Sequence, residues 1–96
     1  MAHWKQTKLA EGKSFVTSEK GNSMTPLIMS GQEHELTPCT WEECIVDDVV
    51  FCKVRGNYYT HKVIAKNEKR GLLIGNNKGG INGWTKRVFG KVTKIL

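Results

Sequence analysis

The feature that most constrains the fold is a pair of β-rich runs in the middle of the chain. Residues 49–55 and 58–65 are rich in Val, Tyr, Thr and Ile, and only Gly56-Asn57 separates them. A two-residue connection of this composition is typical of a tight type I′ or II′ turn. The two runs are therefore predicted to form an antiparallel β-hairpin, around which the rest of the domain packs.

The predicted hairpin also assigns each side chain to a face. A turn centred on Gly56-Asn57 places Cys52 opposite His61. Because side chains alternate along a strand, His61 then shares a face with apolar residues, and Lys62 points the other way. The apolar face holds Val50, Cys52, Val54, Tyr59, His61 and Val63.

The remaining segments also favour strands over helices. Residues 14–17, 72–74 and 88–95 read as strands, and residues 30–48 as one short strand among irregular loops. Residues 75–84 read as a Gly/Asn-rich loop, and long loops in small domains are often functional. The fold class predicted is mostly β.

A chain of 96 residues has room for one modest core, so a single domain is expected. Residues 14–96 are predicted to form it, and residues 1–13 a flexible basic N-terminal arm. The sequence holds no apolar run of the roughly 18–20 residues that a membrane span needs. It also begins without the apolar core of a secretion signal, so a soluble, cytoplasmic protein is expected.

The cysteines indicate a reduced protein without a metal. Cys39, Cys44 and Cys52 are an odd number of thiols, which favours free thiols over disulfides. His34, Cys39 and Cys44 are evenly spaced, but they lack the C-x2-C spacing and the fourth ligand of a zinc site. No metal and no cofactor is expected.

The net charge of +6 is unevenly distributed. Residues 21–52 hold six acids and no Lys or Arg, whereas residues 53–96 hold eleven Lys or Arg and one acid. The basic half is compatible with nucleic-acid binding, although no nucleic-acid-binding motif accompanies it. A solvated basic surface explains the same composition.

One stretch, residues 21–26 (Gly-Asn-Ser-Met-Thr-Pro), combines a turn with a serine. A serine hydroxyl becomes nucleophilic when a nearby base accepts its proton, and a histidine on an apolar face can serve as that base. Ser23 and His61 are the candidate pair, and Pro26 suits a short helical turn after the nucleophile. The alternative is that Ser23 caps a helical turn and His61 is a hydrogen-bonded core residue.

The stretch resembles the Ser-Met-x-Pro box around the nucleophile of the LexA/signal-peptidase superfamily. His-Lys-Val-Ile at residues 61–64 is similar to the His-Arg-Val-Ile of archaeal and endoplasmic-reticulum type signal peptidases, in which histidine is the base. Three further boxes follow the family order: its Gly-Asp strand at residues 46–51, with Asp47 in place of glycine, its Gly-Asp-Asn box at residues 73–77, and its Gly-Lys-Val strand at residues 88–92.

The resemblance implies a small LexA/signal-peptidase-like β domain of a bacterium or of a phage-infected cell, and the domain would act as a serine endopeptidase. Its Ser23-His61 dyad would cleave an extended peptide segment of a host or phage protein. The family's acidic residue is Asn76 here, so the residue that orients the histidine is sought among Asn76, Asn77 and Asn82. Met24, Pro26 and Trp84 are the predicted substrate contacts, and no membrane anchor is expected.

Two other functions and one other fold stay open. A catalytically inactive relative would keep the cleft to bind a peptide or protein, and a basic module would bind nucleic acid through the second half of the chain. An unrelated small β-barrel, OB-like or SH3-like, would also satisfy the strand pattern.

Overall fold

The computed structural model describes residues 3–21, 24 and 27–96, and this part of the chain is mostly β, as predicted. Its strands form one sheet in the order β1-β2-β7-β3-β4-β5-β6, with antiparallel neighbours throughout. The elements are α1 (Trp4–Ala10), β1 (Phe15–Thr17), β2 (His34–Pro38), a 3₁₀ turn (Trp41–Glu43), β3 (Val49–Val54), β4 (Asn57–Asn67), β5 (Gly71–Gly75), β6 (Ile81–Thr85) and β7 (Val88–Ile95).

The central hairpin is confirmed, but its turn lies one residue earlier than predicted. Val54 pairs with Asn57, so Arg55 and Gly56 form the turn, with φ of 50° and 84°. Positive φ at both central positions is the property of a type I′ turn. The register therefore differs by two residues, and His61 lies opposite Val50 instead of Cys52. A shift of two leaves every side chain on its predicted face, because the side-chain period of a strand is two.

Apolar clusters cover both faces of this sheet. The first cluster also includes Cys44 and Val88. Its other buried members come from β3, β4 and β5: Val50, Cys52, Val54, Val63, Leu72 and Ile74. The other face is covered by a cluster of Leu9, Leu36 and Phe51 and by a smaller one of Met24, Ile28 and Val49. β3 contributes to all three clusters, which explains why almost all of its side chains are buried.

Residues 4–10 differ from the prediction of a flexible arm, because they form helix α1 and pack on the sheet. The Lys5 N–H donates to His3 Nδ1 at 3.1 Å, which caps the helix. Leu9 is 3% exposed and packs with Leu36 and Phe51. A Cβ at Gly90 would lie 2.9 Å from Leu9 Cδ1, so glycine in β7 permits this close approach. Seven residues are too few for a clear helical period in the sequence.

A partly buried ion pair fastens α1 to the segment that precedes residues 22–26. Lys5, which is 5% exposed, places Nζ 2.6 Å from Glu19 Oε1. The Thr60 hydroxyl of β4 donates to the same carboxylate oxygen. Burial opposes ionisation of Glu19, but the hydrogen bonds from Lys5 and Thr60 outweigh it and lower the pKa of the carboxyl. The ionised carboxylate thus links α1, β4 and the loop after β1.

We expect Glu19→Gln to lower the free energy of unfolding by about 2 kcal/mol near neutral pH, because Lys5 would keep a buried charge without a counter-charge. Lys5→Met in the same chain should restore part of that loss. Since folding lowers the Glu19 pKa, its contribution is present above the usual pKa range of a glutamate and is lost as the pH falls through and below it. Urea unfolding at a series of pH values measures both effects, and an unchanged acid dependence in Glu19→Gln would contradict them.

The β5–β6 connection is shorter than predicted. Part of the expected loop at residues 75–84 is strand β6, which pairs with β5. The Asn76 side chain organises the loop that remains, since its Oδ1 accepts the N–H groups of Lys78 and Gly80, each at 2.9 Å. Asparagine commonly closes such turns on its own backbone. The loop therefore returns the chain directly into an antiparallel neighbour.

Candidate functional site

His61 lies on β4 next to the point where this strand begins to pair with β5. The β4–β5 ladder runs from Lys62 to Asn67, so His61 directly precedes its first pair. The imidazole is half-buried, and the Tyr59 ring stacks on it with centroids 5.0 Å apart. The side chain is thus partly shielded from water on the apolar face of the sheet, as the strand pattern predicts.

The structure brings one of the three predicted orienting residues to His61. His61 Nδ1 lies 2.7 Å from Asn82 Oδ1. An amide oxygen accepts and does not donate, so the imidazole Nδ1 carries the proton in this contact. In that tautomer the Nε2 lone pair can accept a proton, which is the state a general base requires. Asn82 thus fixes both the orientation and the tautomer of the ring.

Asn76 and Asn77 have other roles. The Asn76 amide is occupied by the backbone of its own loop. Asn77 Oδ1 accepts a hydrogen bond from Lys62 Nζ at 3.2 Å. Lys62 and Asn77 line an open cleft of about 410 Å³ together with Leu27 and Asp47. Sequence reasoning missed Lys62 and Asp47 as cleft residues, although Lys62 directly follows His61.

Ser23 and Pro26 lie outside the described residues, whereas the chain on either side of them is held in place. Met24 is 5% exposed and packs with Ile28 and Val49. The Ile28 N–H donates to the Met24 carbonyl at 2.9 Å.

Two further hydrogen bonds join the ends of this segment. The Gly31 N–H donates to the Glu19 carbonyl at 2.8 Å, and the Gly21 N–H donates to Ser30 Oγ at 3.1 Å. Glu19 is itself bonded to Thr60, next to His61 in sequence. The segment that carries the Ser-Met-x-Pro sequence is therefore anchored at both ends and through Met24.

Two of the predicted substrate contacts, Met24 and Trp84, lie in the described part of the chain, and their surroundings differ. The Met24 side chain is buried in the core, where it has no surface to offer a peptide. Trp84 lines a groove among Lys and Arg side chains at the end of the hairpins. Trp84 was predicted in the loop at residues 75–84 but lies in β6, so its surroundings depend on the pairing of β6 with β5, which the sequence pattern did not report.

The thiols form no disulfide within the described chain. Cys39 Sγ and Cys44 Sγ are 3.6 Å apart, well beyond the roughly 2.05 Å of a disulfide bond. The hydrogen bond between them raises the pKa of Cys39 and lowers that of Cys44. Burial raises the pKa of the Cys52 thiol to about 12. Within residues 3–21, 24 and 27–96, no three His, Cys, Asp or Glu side chains are grouped so as to hold a metal ion.

Comparisons with known proteins found no matching family model, no matching curated protein and no matching solved structure. Among the helices of the described residues, none has the length and apolarity that crossing a membrane requires. What the chain does is therefore inferred from its own residues, above all from the contact between His61 and Asn82.

Proposed function

We propose that the protein is a serine endopeptidase of the LexA/signal-peptidase type that cleaves an extended peptide segment. Ser23 is the nucleophile, His61 is the general base and Asn82 orients the base. The observation that carries the proposal is the 2.7 Å contact between His61 Nδ1 and Asn82 Oδ1. A base held by a third group is the arrangement that activates a serine in unrelated hydrolases.

In the proposed reaction, Ser23 Oγ attacks the carbonyl carbon of the scissile peptide bond while its proton passes to His61 Nε2. The resulting imidazolium donates that proton to the leaving nitrogen as the C–N bond breaks, which leaves an acyl-serine ester. A water molecule, deprotonated by the same Nε2, then hydrolyses the ester. Asn82 Oδ1 accepts the hydrogen bond from Nδ1–H throughout and keeps Nε2 directed at the reacting atoms.

The anchoring of the serine segment supports this assignment. Met24, the sequence neighbour of Ser23, is buried against Val49, and Val49 pairs across the strands with Lys62. The Val49–Lys62 pair is next to the Val50–His61 pair, so the segment is fixed to the hairpin beside the pair that carries His61, on the face that Val49 and Lys62 share. Rigid support on a sheet is what a nucleophile and a base need, since small errors in their separation reduce the rate strongly.

The neutral Asn82 favours a second function on the same scaffold. A carboxylate stabilises the imidazolium that forms during the reaction, whereas an amide supplies only a dipole. With the weaker stabilisation, the cleft beside Lys62 and Asn77 would serve to hold a peptide of a host or phage protein without cleaving it. The two functions differ in one measurable property, namely whether a peptide bond is broken.

Labelling with a fluorophosphonate probe tests the proposal directly. Attack by Ser23 Oγ on phosphorus would expel fluoride and leave a phosphonylated serine, which mass spectrometry locates by peptide mapping. We expect the adduct on Ser23 in the parent protein and at least about a hundredfold slower labelling in His61→Ala. Ser18→Ala is the matched control, because this exposed serine lies in the same loop.

The same protein is then incubated with a peptide library, and new termini are identified by mass spectrometry. Cleavage together with Ser23 labelling supports the peptidase. Peptide retention without cleavage or labelling would replace it with the binding function. Labelling of Ser23 at the same rate with and without His61 would remove His61 from the role of base.

A further inference from the structure

A second candidate site lies at the end of the sheet where the β3–β4 and β4–β5 turns meet, and most of its side chains are Lys and Arg. A groove of about 550 Å³ lies between the β3–β4 turn, the β4–β5 turn and the β6–β7 connection. We call it the basic groove, and its lining is Lys53, Arg55, Gly56, Lys69, Arg70, Trp84, Thr85, Lys86 and Arg87. Six of these side chains are cationic and none is acidic.

The distribution of arginine is the strongest sign that the groove is a binding site. The chain contains three arginines, Arg55, Arg70 and Arg87, and all three line this groove. They are far apart in sequence and come from three different connections. The chain uses lysine at its twelve other Lys/Arg positions. A guanidinium presents a planar pair of donors that matches a phosphate or carboxylate, whereas lysine offers a point charge.

The backbone beneath these cations is held by short hydrogen bonds. The Thr85 hydroxyl donates to the Lys53 carbonyl at 2.7 Å, and the Lys53 N–H donates to the Arg87 carbonyl at 2.9 Å. A Cβ at Gly71, the first residue of β5, would clash with the Thr85 carbonyl oxygen, so the start of β5 is in close contact with the end of β6. The cations therefore sit on a fixed surface and not on a flexible tail.

The charges of the groove are not neutralised within the described chain. The ion pairs found there involve Lys5, Lys13 and Lys91, none of which lines the groove. Glu68 lies in the β4–β5 turn but is not part of the lining. Like charges gathered in one concave surface repel one another and create a positive potential that attracts a polyanion. The arrangement lowers stability unless an anionic partner occupies it.

We propose that the basic groove binds nucleic acid through its phosphate backbone. The groove gathers six Lys and Arg side chains between three connections, and this suits a ligand whose negative charges repeat along one chain. Trp84 adds an aromatic ring inside the groove, and Arg70 lies over it with its guanidinium carbon 5.7 Å from the ring centroid. Rings and guanidinium planes of this kind stack with exposed bases, which an acidic peptide does not offer. The proposal does not depend on the peptidase assignment.

Fluorescence anisotropy with labelled 20-nucleotide single-stranded and duplex DNA and RNA tests the proposal, over a series of salt concentrations. We expect binding at low salt and an apparent affinity that falls steeply as salt rises, with roughly three to five counterions released. Arg70→Gln/Lys86→Gln/Arg87→Gln should weaken binding by about tenfold to a hundredfold and flatten the salt dependence. All three positions are exposed, so the fold should survive, and melting curves check this.

The matched control is Lys13→Gln/Lys78→Gln/Lys94→Gln, which removes the same charge at exposed positions outside the groove. It should weaken binding less than about threefold. Equal losses in the two triple variants would reduce the effect to net charge and overturn the site. No binding at low salt would also overturn it. Tighter binding of a polyglutamate peptide than of any oligonucleotide, lost in the groove variant, would identify an acidic protein as the partner instead.

Discussion

Replacing His61 with alanine is expected to reduce peptide cleavage by at least about a thousandfold, because Ser23 would lose the base that takes its proton. Ser23→Ala should cause a loss of similar size. The double variant should be no slower than either single variant, since residues that act as one unit do not contribute additively. We would measure initial rates of cleavage for the parent, the two single variants and the double variant, with a peptide taken from the library experiment. The four rates form a double-mutant cycle.

Two controls separate lost chemistry from lost structure. His61→Ala also removes a ring that stacks on Tyr59, so some loss of stability is expected, and melting curves must show a folded variant at the assay temperature. Ser18→Ala should cleave like the parent. Losses for Ser23→Ala and His61→Ala that multiply in the double variant would mean that the two residues act independently, which contradicts the dyad.

The hairpin shows what a local sequence pattern can and cannot decide. Strand composition identified β3 and β4, and alternation put His61 on the apolar face, which is correct. The turn position was wrong, because glycine followed by asparagine is a usual pair for a two-residue hairpin turn of type I′ or II′, whereas the structure places Arg55 in the turn at φ 50°. Arginine rarely takes this conformation. The register also depends on the pairing of β3 with β7 and of β4 with β5. A two-residue turn pattern carries no information about these pairings.

Two elements could not be predicted from composition. Strand β6 lies within a Gly/Asn-rich stretch, and it forms because β5 offers it a partner edge. Helix α1 is short and polar, and it is held by one buried leucine and by the Lys5–Glu19 pair. In both cases tertiary contacts outweigh weak local propensity, which is common for short elements.

The candidate site, like the fold, could be predicted only in part. The sequence named His61 and limited its orienting partner to three asparagines, but it could not choose among them. The choice depends on where the β5–β6 loop ends: Asn76 bonds to the loop backbone, whereas Asn82 is the second residue of β6 and contacts His61. The basic half of the chain was visible as a charge excess, whereas its gathering into one groove requires three connections to meet at one end of the sheet.

Asn82→Asp is expected to raise the rate of cleavage by about tenfold to a hundredfold. A carboxylate that accepts the hydrogen bond from Nδ1–H would stabilise the imidazolium through its negative charge. The amide of Asn82 stabilises it only weakly. Asn82→Leu should act in the opposite direction and lower the rate by about a hundredfold, since Nδ1 would lose its acceptor Asn82 Oδ1, and the ring would lose a fixed tautomer. Rates of ester and peptide cleavage with saturating substrate measure both changes.

Asn76→Asp is the matched control, because it makes the same chemical change in the loop that leads into β6, at a side chain bonded to Lys78 N and Gly80 N. It should leave the rate within about threefold of the parent, because Asn76 bonds to its own loop and not to the imidazole. If the parent protein cleaves no peptide, activity that appears in Asn82→Asp alone would identify a dormant peptidase whose base lacks only a negative charge. Equal gains in both variants would show that the added charge acts at a distance, and the specific role of Asn82 would then be wrong.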